Sequence, residues 1–538
     1  MTRNPRPSRL CRPVRLRYRT VLLSAFVPLL FAARASSQTI WDPSLTHTGS
    51  DGSGTWDLGT ANWASAGADI LWPNAFTNIA TFGKGGVAGT VTIADGVQTN
   101  GLVFNATSSG NYLLTGGTLF FGGPTPTINT AIDASITASL NGGGLTLTKS
   151  GTGTLSLDGA TTGIPTIKVT GGTLKTSTGG AGSFGNSTTA IVVSNNAKIR
   201  TTGSITVANP ITLNGGTGDA ATIGGATLAG PVVLASGDSA INASAQAFIS
   251  GTISGAGNLI KSGSQKLTVT GTNTYSGTTT ISNGAIQVGI SGTTGTLGSG
   301  AVTNNGSLIY NRSDTFTVAN TISGVGSLTK TGDGTMILSG INVYTGNTTI
   351  TQGTLEVNGT IAGGSASQVI VGGGAELAGT GTITGASAGG VTLLGGAVLS
   401  PGAADSMGTL SLTSLSWTSN NTSAGMAFNL SNVDSSSDLL SLSGSFTRSS
   451  NTAGAFIFDF QNSGLLGNTY TLMTFGSTGS TSVANLMATN LPEGLTGTFQ
   501  MTSTNLKLVV VPEPSIALAG GVGMLLLLSR ARRRPPLG

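Results

Sequence analysis

Two stretches of this chain repeat each other without a gap, and the alignment places Ile253 on Ile322. The first reads ISGAGNLIKSGSQKLTVTGTNTYSGTTTISNGAIQV and the second reads ISGVGSLTKTGDGTMILSGINVYTGNTTITQGTLEV. A looser copy begins at Leu147; it keeps Lys149 and a closing Gly-Gly-Thr-Leu, but it has no tyrosine. Self-similarity at a fixed period is the signature of stacked repeat architectures. The chain is therefore expected to form a repeat array.

Inside each copy, apolar residues alternate with threonine or serine, as in Leu267-Thr268-Val269, and glycine or Asn-Gly interrupts the alternation every few residues. A period of two that is broken by turn residues predicts short, half-buried strands, and no stretch sustains the 3.6-residue period of a helix. We predict an all-β fold, with a right-handed parallel β-helix or similar solenoid as the repeat body and β-rich caps at both ends. The offset between the two close copies divides into three coils of about 23 residues each.

The composition suits such a solenoid. Glycine accounts for 85 of 538 residues, charged residues for 8%, and the mean hydropathy is +0.23. Corners need residues that tolerate positive φ, and outward strand positions need only a wettable residue with β propensity, such as threonine. The apolar content is too high for a disordered chain.

The net charge of +5 comes from the two ends of the chain. Eight arginines lie in residues 1–35 and four in residues 530–534, whereas residues 36–510 carry 12 basic and 18 acidic residues, a net charge of −6. Nucleic-acid binding requires a basic patch on the folded body. We therefore expect no nucleic-acid partner.

The N-terminus has the order of a secretory signal peptide. An arginine-rich segment precedes an apolar run over residues 21–33, and Ala33 and Ala35 supply small residues at the −3 and −1 positions of a cleavage site. We predict a signal peptide over residues 1–35, with the Sec export machinery and signal peptidase as partners; an uncleaved anchoring helix is the alternative. Cys11, the only cysteine of the chain, lies in this leader, so the body has no disulfide or thiolate metal site.

The C-terminus has three parts in a fixed order: an extended Val511-Pro512-Glu513-Pro514, an apolar run of about 13 residues, which is short for a bilayer span, and an arginine cluster. This order resembles the PEP-CTERM sorting signal of Gram-negative bacteria over residues 511–534. The resemblance implies a transient inner-membrane association and cleavage by an exosortase-like enzyme; a plain membrane anchor is the alternative. The predicted signal residues are Val511, Pro512, Glu513, Pro514, Arg530, Arg532, Arg533 and Arg534.

The repeated string itself, with its Leu-Thr-Lys-Thr-Gly opening and Gly-Thr-Leu-Glu-Val closing, resembles the autotransporter-associated β-strand (passenger-associated) repeat. The resemblance implies an exported surface solenoid. Lys149, Lys261 and Lys330 occupy equivalent positions of the three copies, and we expect them to form a ladder on one solvated edge, where lysine discourages edge-to-edge pairing.

These observations predict five segments. They are a signal peptide (1–35), a Trp-rich N-terminal β cap (36–125), β-solenoid repeats (126–400, with the copies near 147–178, 253–288 and 322–357), a C-terminal β-rich region (401–508), and a sorting signal with a short transmembrane segment (509–538).

Two features of the flanking segments each allow two interpretations. The tryptophans Trp41, Trp56, Trp63 and Trp72 predict either a hydrophobic cap over the first coil or a carbohydrate-stacking site, and we favour the cap. Asp434 and Asp438 are interpreted as solvated turn residues rather than Ca²⁺ ligands, because their spacing matches no calcium loop.

The sequence predicts no catalytic residue, no metal and no cofactor. The acidic residues are sparse and mostly adjoin glycine at turns, and His47 is the only histidine, whereas glycoside hydrolysis needs a carboxylate pair. We expect a structural or adhesin-like protein of the cell surface or extracellular matrix, with extracellular polysaccharide left open as a partner. The alternatives are a polysaccharide-binding or polysaccharide-degrading β-helix and an ice-binding threonine array, whose regular ranks are broken here.

Overall fold

A computed structural model describes most of the body of the chain. The described residues are 37–177, 183–215, 219–364, 367–385, 390–402, 406–418, 425–448, 456–460 and 467–513. In this part of the chain the regular structure is β-strand, apart from one 3-10 turn at Asp434–Ser436. The predicted all-β class is confirmed.

The strands form six sheets on three faces of a solenoid, which the chain visits in turn. Face 1 carries sheet 1 and, after an interruption, sheet 2; face 2 carries sheets 3 and 4; face 3 carries sheets 5 and 6.

The strands of face 1 follow in the order of their hydrogen-bonded neighbours. Sheet 1 contains Ala68–Ile70, Trp63–Ser65, Ser37–Trp41, Asn78–Phe82, Gly101–Phe104, Thr127–Thr130, Thr146–Ser150, Thr166–Val169, Ala190–Val193, Ile211–Leu213, Val232–Leu234 and Ile253–Gly255. Sheet 2 contains Phe316–Val318, Thr335–Leu338, Gly353–Val357, Ala375–Gly379, Val398–Pro401, Met426–Phe428, Phe456–Phe460 and Leu486–Thr489.

Face 2 is ordered in the same way. Sheet 3 contains Gly54–Trp56, Thr90–Ile93, Tyr112–Gly116, Ala134–Ile136, Thr154–Leu157, Thr173–Thr176, Lys198–Thr202, Asp219–Gly224, Asp238–Ala243, Asn258–Ser262, Thr279–Ile281, Val302–Asn304 and Ile322–Ser323. Sheet 4 contains Ile341–Asn342, Thr360–Ala362, Thr382–Thr384, Thr409–Leu412, Leu439–Leu442, Thr469–Thr474, Asn505–Pro512 and Leu495–Met501.

Face 3 completes each coil. Sheet 5 contains Thr161–Thr162, Ser139–Asn141, Thr118–Phe121 and Val97–Thr99. Sheet 6 contains Thr206–Val207, Thr227–Leu228, Ala247–Ile249, Lys266–Val269, Ala285–Gly292, Ser307–Arg312, Ser327–Thr331, Thr348–Ile350, Val369–Val371, Val391–Leu393, Leu415–Trp417, Ser445–Arg448 and Ser477–Thr478.

The core is a continuous stack of inward side chains, one set per coil. Burial alternates along the strands, so that in Ser307–Arg312 the residues Leu308, Tyr310 and Arg312 are buried and the residues between them are partly exposed. Each buried aliphatic side chain is worth about 1.5–3 kcal/mol. Because neighbouring coils supply both this contact and the backbone hydrogen bonds, stability comes from stacking.

The coils around the third copy of the repeat are shorter than predicted. In sheet 6 each residue pairs with its equivalent in the next coil, and successive partners are Leu308↔Leu328 and Leu328↔Thr348. These steps along the chain fall short of the expected coil of about 23 residues. Coils are longer at both ends of the solenoid and at one place between them. The partners there are Ser37↔Asn78 and Leu415↔Phe446 at the ends, and Thr166↔Ala190 between them.

The shorter coil changes how the repeat is placed on the solenoid. Ile253 lies on face 1, whereas its equivalent Ile322 lies on face 2. The prediction that the offset between the two copies makes three whole coils is therefore wrong. The offset equals three coils plus one face.

The two ends of the solenoid differ from its middle. Among the described strands, antiparallel pairs occur only in Ser37–Trp41, Trp63–Ser65 and Ala68–Ile70 at one end, and in Thr469–Thr474, Asn505–Pro512 and Leu495–Met501 at the other. An antiparallel ribbon ends a parallel stack and blocks addition of a further coil. The parallel ladders between these ends run across the predicted divisions at 125 and 400, and the divisions themselves stay predictions.

Candidate functional site: the repeat corners and the ends of the solenoid

The four N-terminal tryptophans form one buried cluster. Trp41, Trp56, Trp63 and Trp72 are at most 3% exposed, and neighbouring ring centroids lie 4.6–5.1 Å apart. The indole N–H of Trp41 donates to Gly52 O at 3.0 Å, and that of Trp72 donates to Gln98 O at 2.8 Å. No indole face is open to a sugar ring, so the geometry matches the cap interpretation.

His47 lies at the surface beside this cap and pairs with Asp69 through Nδ1 at 2.5 Å.

The two aspartates of the C-terminal region differ in environment. Asp434 is exposed in the 3-10 turn and accepts hydrogen bonds from the N–H and hydroxyl of Thr471, as a turn residue would. Asp438 is only 1% exposed and accepts from the N–H groups of Gly408 and Asn429 at 2.8 and 2.6 Å. The expectation of a solvated side chain is thus wrong for Asp438, which ties three backbone segments together. Burial raises the pKa of its carboxyl against the opposing effect of these hydrogen bonds.

No metal site forms around these acids. In the described ranges, no group of three or more His, Cys, Asp or Glu side chains could hold a metal ion.

The recurrent lysines point into the core rather than to solvent. Lys149, Lys261 and Lys330 are 1%, 0% and 0% exposed. They also lie on three different faces, in strands Thr146–Ser150, Asn258–Ser262 and Ser327–Thr331. The predicted ladder on one solvated edge is therefore wrong. The copies are separated by whole coils plus one face, which turns each lysine to the next side of the solenoid. Each lysine is buried because backbone carbonyls accept hydrogen bonds from its ammonium group.

Each ammonium group is held by backbone carbonyls where its strand meets a corner. One acceptor in each set belongs to the next coil, so that the lysine joins two coils. Lys149 Nζ donates to the carbonyls of Ser150, Gly151 and Gly171 at 2.8, 3.2 and 2.9 Å. Lys261 Nζ donates to those of Ser262, Gly263 and Asn283 at 2.6, 2.8 and 3.1 Å. Lys330 Nζ donates to those of Gly332 and Gln352 at 2.6 and 3.1 Å.

These carbonyls make a buried ammonium tolerable. Burial lowers the pKa of Lys149, Lys261 and Lys330 to about 8 each, partly offset by Asp133 near Lys149 and by Asp333 near Lys330. A charge that leaves water costs several kcal/mol unless hydrogen bonds replace its hydration. Two or three oxygens per ammonium supply that replacement, and the lysine stem fills core volume.

A glycine with positive φ follows each distant acceptor. Gly172, Gly284 and Gly353 have φ of 61°, 68° and 66°. A Cβ on Gly284 would lie 2.6 Å from Gly263 O, which itself accepts a hydrogen bond from Lys261. The corner therefore requires glycine, both for its backbone conformation and for the space that the carbonyl cage occupies.

The two close copies share two more inward polar residues. The hydroxyl of Tyr275 hydrogen-bonds Thr279 Oγ1 at 2.7 Å, and Tyr344 bonds Thr348 in the same way. Asn273 accepts the N–H of Ile253 at 2.7 Å, and Asn342 accepts that of Ile322 at 3.1 Å, each from the preceding coil. Sequence reasoning missed the role of these asparagines. Their recurrence at the offset of the repeat was the available signal.

Comparison with known proteins identifies this motif. The family described as passenger-associated-transport-repeat matches residues 147–175, 259–288 and 328–357. The chain carries passenger-associated-transport repeats. The matched ranges fall within the three predicted copies, and each contains one of the buried lysines.

One curated relative matches a longer stretch of this chain than the repeat family does. The "Adhesin BmaC autotransporter" of Brucella suis biovar 1 (strain 1330) is 36% identical to this chain over 211 residues. The match covers 39% of this chain but only 6% of the relative, so this chain spans a small part of the length of the curated protein it matches.

Part of the predicted sorting signal belongs to the last strand. Val511 and Pro512 end Asn505–Pro512 and pair with Thr496 and Leu495. The N–H of Glu513 donates to Gly494 O at 2.9 Å. The strand thus crosses the predicted boundary between residues 508 and 509.

The remaining signal residues fall elsewhere. Pro514, Arg530, Arg532, Arg533 and Arg534, like Ala33 and Ala35 of the leader, lie outside the described residues. Among the described residues, no helix is long and apolar enough to span a bilayer.

Proposed function

We propose that this chain is an exported, adhesin-like structural protein of the cell surface or extracellular matrix. The observation that carries the proposal is the presence of three passenger-associated-transport repeats within one solenoid of stacked coils. The partial match to a protein named as an autotransporter adhesin supports the same conclusion. The proposal assigns no catalytic residue, metal or cofactor.

The architecture suits such a role. A 13-stranded sheet with a strand spacing of ~4.8 Å is about 58 Å long, so the solenoid separates its ends and exposes a long lateral surface. Hydroxyl-bearing residues occupy both outward positions of strands such as Thr154–Leu157 and Thr409–Leu412. A surface of this kind offers many weak contacts along its length.

The proposal is tested in the native host by labelling intact cells with an impermeant biotin reagent and by comparing attachment of wild-type and deletion strains. We expect labelled protein on intact cells and reduced attachment of the deletion strain to surfaces or to neighbouring cells. A cytoplasmic reference protein serves as the control for lysis. Protein that is labelled only after the cells are broken, or unchanged attachment, would contradict the proposal.

We further propose the export route. The leader 1–35 directs the chain to the Sec machinery and is removed by signal peptidase. The tail then holds it at the inner membrane, because several arginines resist passage through hydrocarbon at about 2.5–3.5 kcal/mol each. An exosortase-like enzyme cuts near Pro512-Glu513-Pro514 and releases the body.

Mass spectrometry of the surface-exposed protein tests this route. We expect no peptide beyond about Pro514, and we expect uncut or mislocalised precursor from Glu513→Ala or after replacement of Arg530, Arg532, Arg533 and Arg534. Replacement of Lys507, which lies in the same strand but outside the signal, is the control. Surface protein with an intact C-terminus at Gly538 would show that the tail is an anchor.

A further inference from the structure

Face 1 is interrupted between the strands Ile253–Gly255 and Phe316–Val318. The two intervening segments on this face, residues 271–277 and 293–300, form no strand. A depression of about 370 Å³ opens where they pass. Ligand sites that hold small molecules have volumes from about 300 Å³ upward, so this depression has room for one or two sugar rings.

The floor of the depression is apolar and partly aromatic. Leu297, Tyr310 and Val318 lie beneath this floor and are only 8%, 2% and 4% exposed, so they support it without offering a ring face to a ligand. Phe316 is partly exposed beside them, and the guanidinium carbon of Arg312 lies 4.5 Å from its ring centroid. The Arg312 side chain fixes the position of this ring.

The rim carries four free hydroxyls. Thr272, Thr274, Ser299 and Thr317 are exposed and line the depression. None of their side chains hydrogen-bonds another residue in the described part of the chain. Each hydroxyl can therefore donate to and accept from a ligand without breaking an internal contact.

The backbone acceptors around the depression are already occupied by side chains. Arg312 Nη1 donates to Gly295 O at 2.7 Å, and Nη2 donates to Thr293 O at 2.8 Å. Asn273 Nδ2 donates to Thr296 O at 2.7 Å. Asn320 Nδ2 likewise donates to the carbonyls of Gly298 and Gly300. An added peptide strand needs a free row of backbone groups, so this arrangement disfavours a peptide.

The lining also carries no unbalanced charge. Arg312 is the one ionisable cation among the lining residues, and its Nη2 lies 2.6 Å from Asp314 Oδ2. A strongly anionic or cationic ligand would find no free counter-charge there.

We propose that this depression binds a neutral saccharide unit of an extracellular polysaccharide. Sugar rings present apolar C–H faces to aromatic side chains and hydroxyls to hydrogen-bonding groups, and here Phe316 and the four rim hydroxyls supply both. The inference rests on the proposed surface function for its biological setting, and it adds a ligand class and a site to that function.

The purified exported protein tests the site by titration with cellobiose, maltose, lactose and N,N′-diacetylchitobiose, observed by saturation-transfer NMR and calorimetry. We expect weak binding of at least one of them, with a Kd on the order of 1 mM. Thr317→Val removes one rim hydroxyl at constant shape, and we expect it to raise that Kd about threefold to tenfold, the loss of one hydrogen bond. Phe316→Ala removes the aromatic floor and is expected to weaken binding further.

Thr206→Val is the matched control, since Thr206 is an exposed strand threonine on face 3; it should leave the Kd unchanged. The thermal midpoints of all variants are measured first, so that a folding defect is separated from a binding defect. Absence of binding by all four disaccharides, equal loss in the control, or preferential binding of a glucuronate disaccharide or an extended peptide would overturn the proposal.

The same variants distinguish the two proposals in cells. Thr317→Val protein that reaches the surface but binds less sugar supports the saccharide site and leaves the surface function standing. Protein that binds sugar when purified but is absent from the surface supports the site and refutes the surface function.

Discussion

At the residue scale, the buried lysines join neighbouring coils by hydrogen bonds. Each lysine contributes an alkyl stem to the core and an ammonium group that collects carbonyls from two coils. A neutral side chain of the same length would fill the volume but leave those carbonyls unpaired. Because an unpaired buried acceptor is costly, the residue type is determined by hydrogen bonding rather than by charge pairing.

We predict that Lys261→Met lowers the free energy of unfolding by about 1–3 kcal/mol, since the carbonyls of Ser262, Gly263 and Asn283 lose their shared donor. The midpoint of denaturant unfolding measures the effect. Lys168→Met is the control, because Lys168 points to solvent from the strand Thr166–Val169, and it should change stability by less than about 0.5 kcal/mol. Equal midpoints for both variants would contradict the role of the corner.

The buried tyrosines predict a loss of stability at alkaline pH. Burial raises the pKa of Tyr275, Tyr310 and Tyr344 above the ordinary 10.0. Since the folded protein keeps phenol protons that the unfolded chain releases above pH 10, this stabilisation is complete below pH 10 and declines as the pH rises further. Phenolate absorbance should therefore increase together with the loss of β-sheet circular dichroism. If the phenolate absorbance reaches its full value while the β-sheet circular dichroism is unchanged, the tyrosines are exposed and the prediction is wrong.

At the element scale, the corner between the last two strands of each repeat depends on one glycine. We predict that Gly284→Ala lowers the unfolding midpoint by the equivalent of about 1–2 kcal/mol, since alanine resists positive φ and its Cβ would meet Gln265 O and Gly263 O at 2.6 Å. The exposed Gly479, whose added Cβ would contact nothing within 4 Å, is the control for Gly→Ala. If Gly479→Ala destabilises the protein as much, the corner has no special requirement.

The alternation of apolar and hydroxyl residues was sufficient to predict the strands and the all-β class, because inward and outward positions differ in every coil. It could not predict the coil length, since corners of different length are equally compatible with the observed offset between the copies. From this error followed the placement of Lys149, Lys261 and Lys330 on a single edge. Their expected exposure was a separate error, because a charged side chain suggests a solvated position unless carbonyl acceptors can be foreseen. The depression on face 1 was not predicted, because it is formed by three segments from three successive coils.

At the scale of the whole molecule, the antiparallel ribbons cover the ends of the stacked coils, where unpaired backbone groups would otherwise be open to another chain. We predict that a body ending at residue 489, which lacks Leu495–Met501 and Asn505–Pro512, self-associates, because Thr469–Thr474 loses its antiparallel partner. Light scattering after size-exclusion chromatography measures the mass. The body ending at residue 513 is the control and should remain monomeric. A monomeric shorter form would show that the ribbon has no capping role.

Each copy of the repeat is rotated by one face of the solenoid relative to the copy before it. This rotation matters for a molecule that lies along a surface. The three repeats carry their lysine corners on three different sides of the solenoid, so their equivalent outer positions are distributed around its circumference. If the solenoid is rotated about its long axis, one of the three repeats still faces the surface on which it lies. Contact of a repeat with the surface then requires no particular rotation of the solenoid. If one side is covered, the repeats on the other two sides remain accessible.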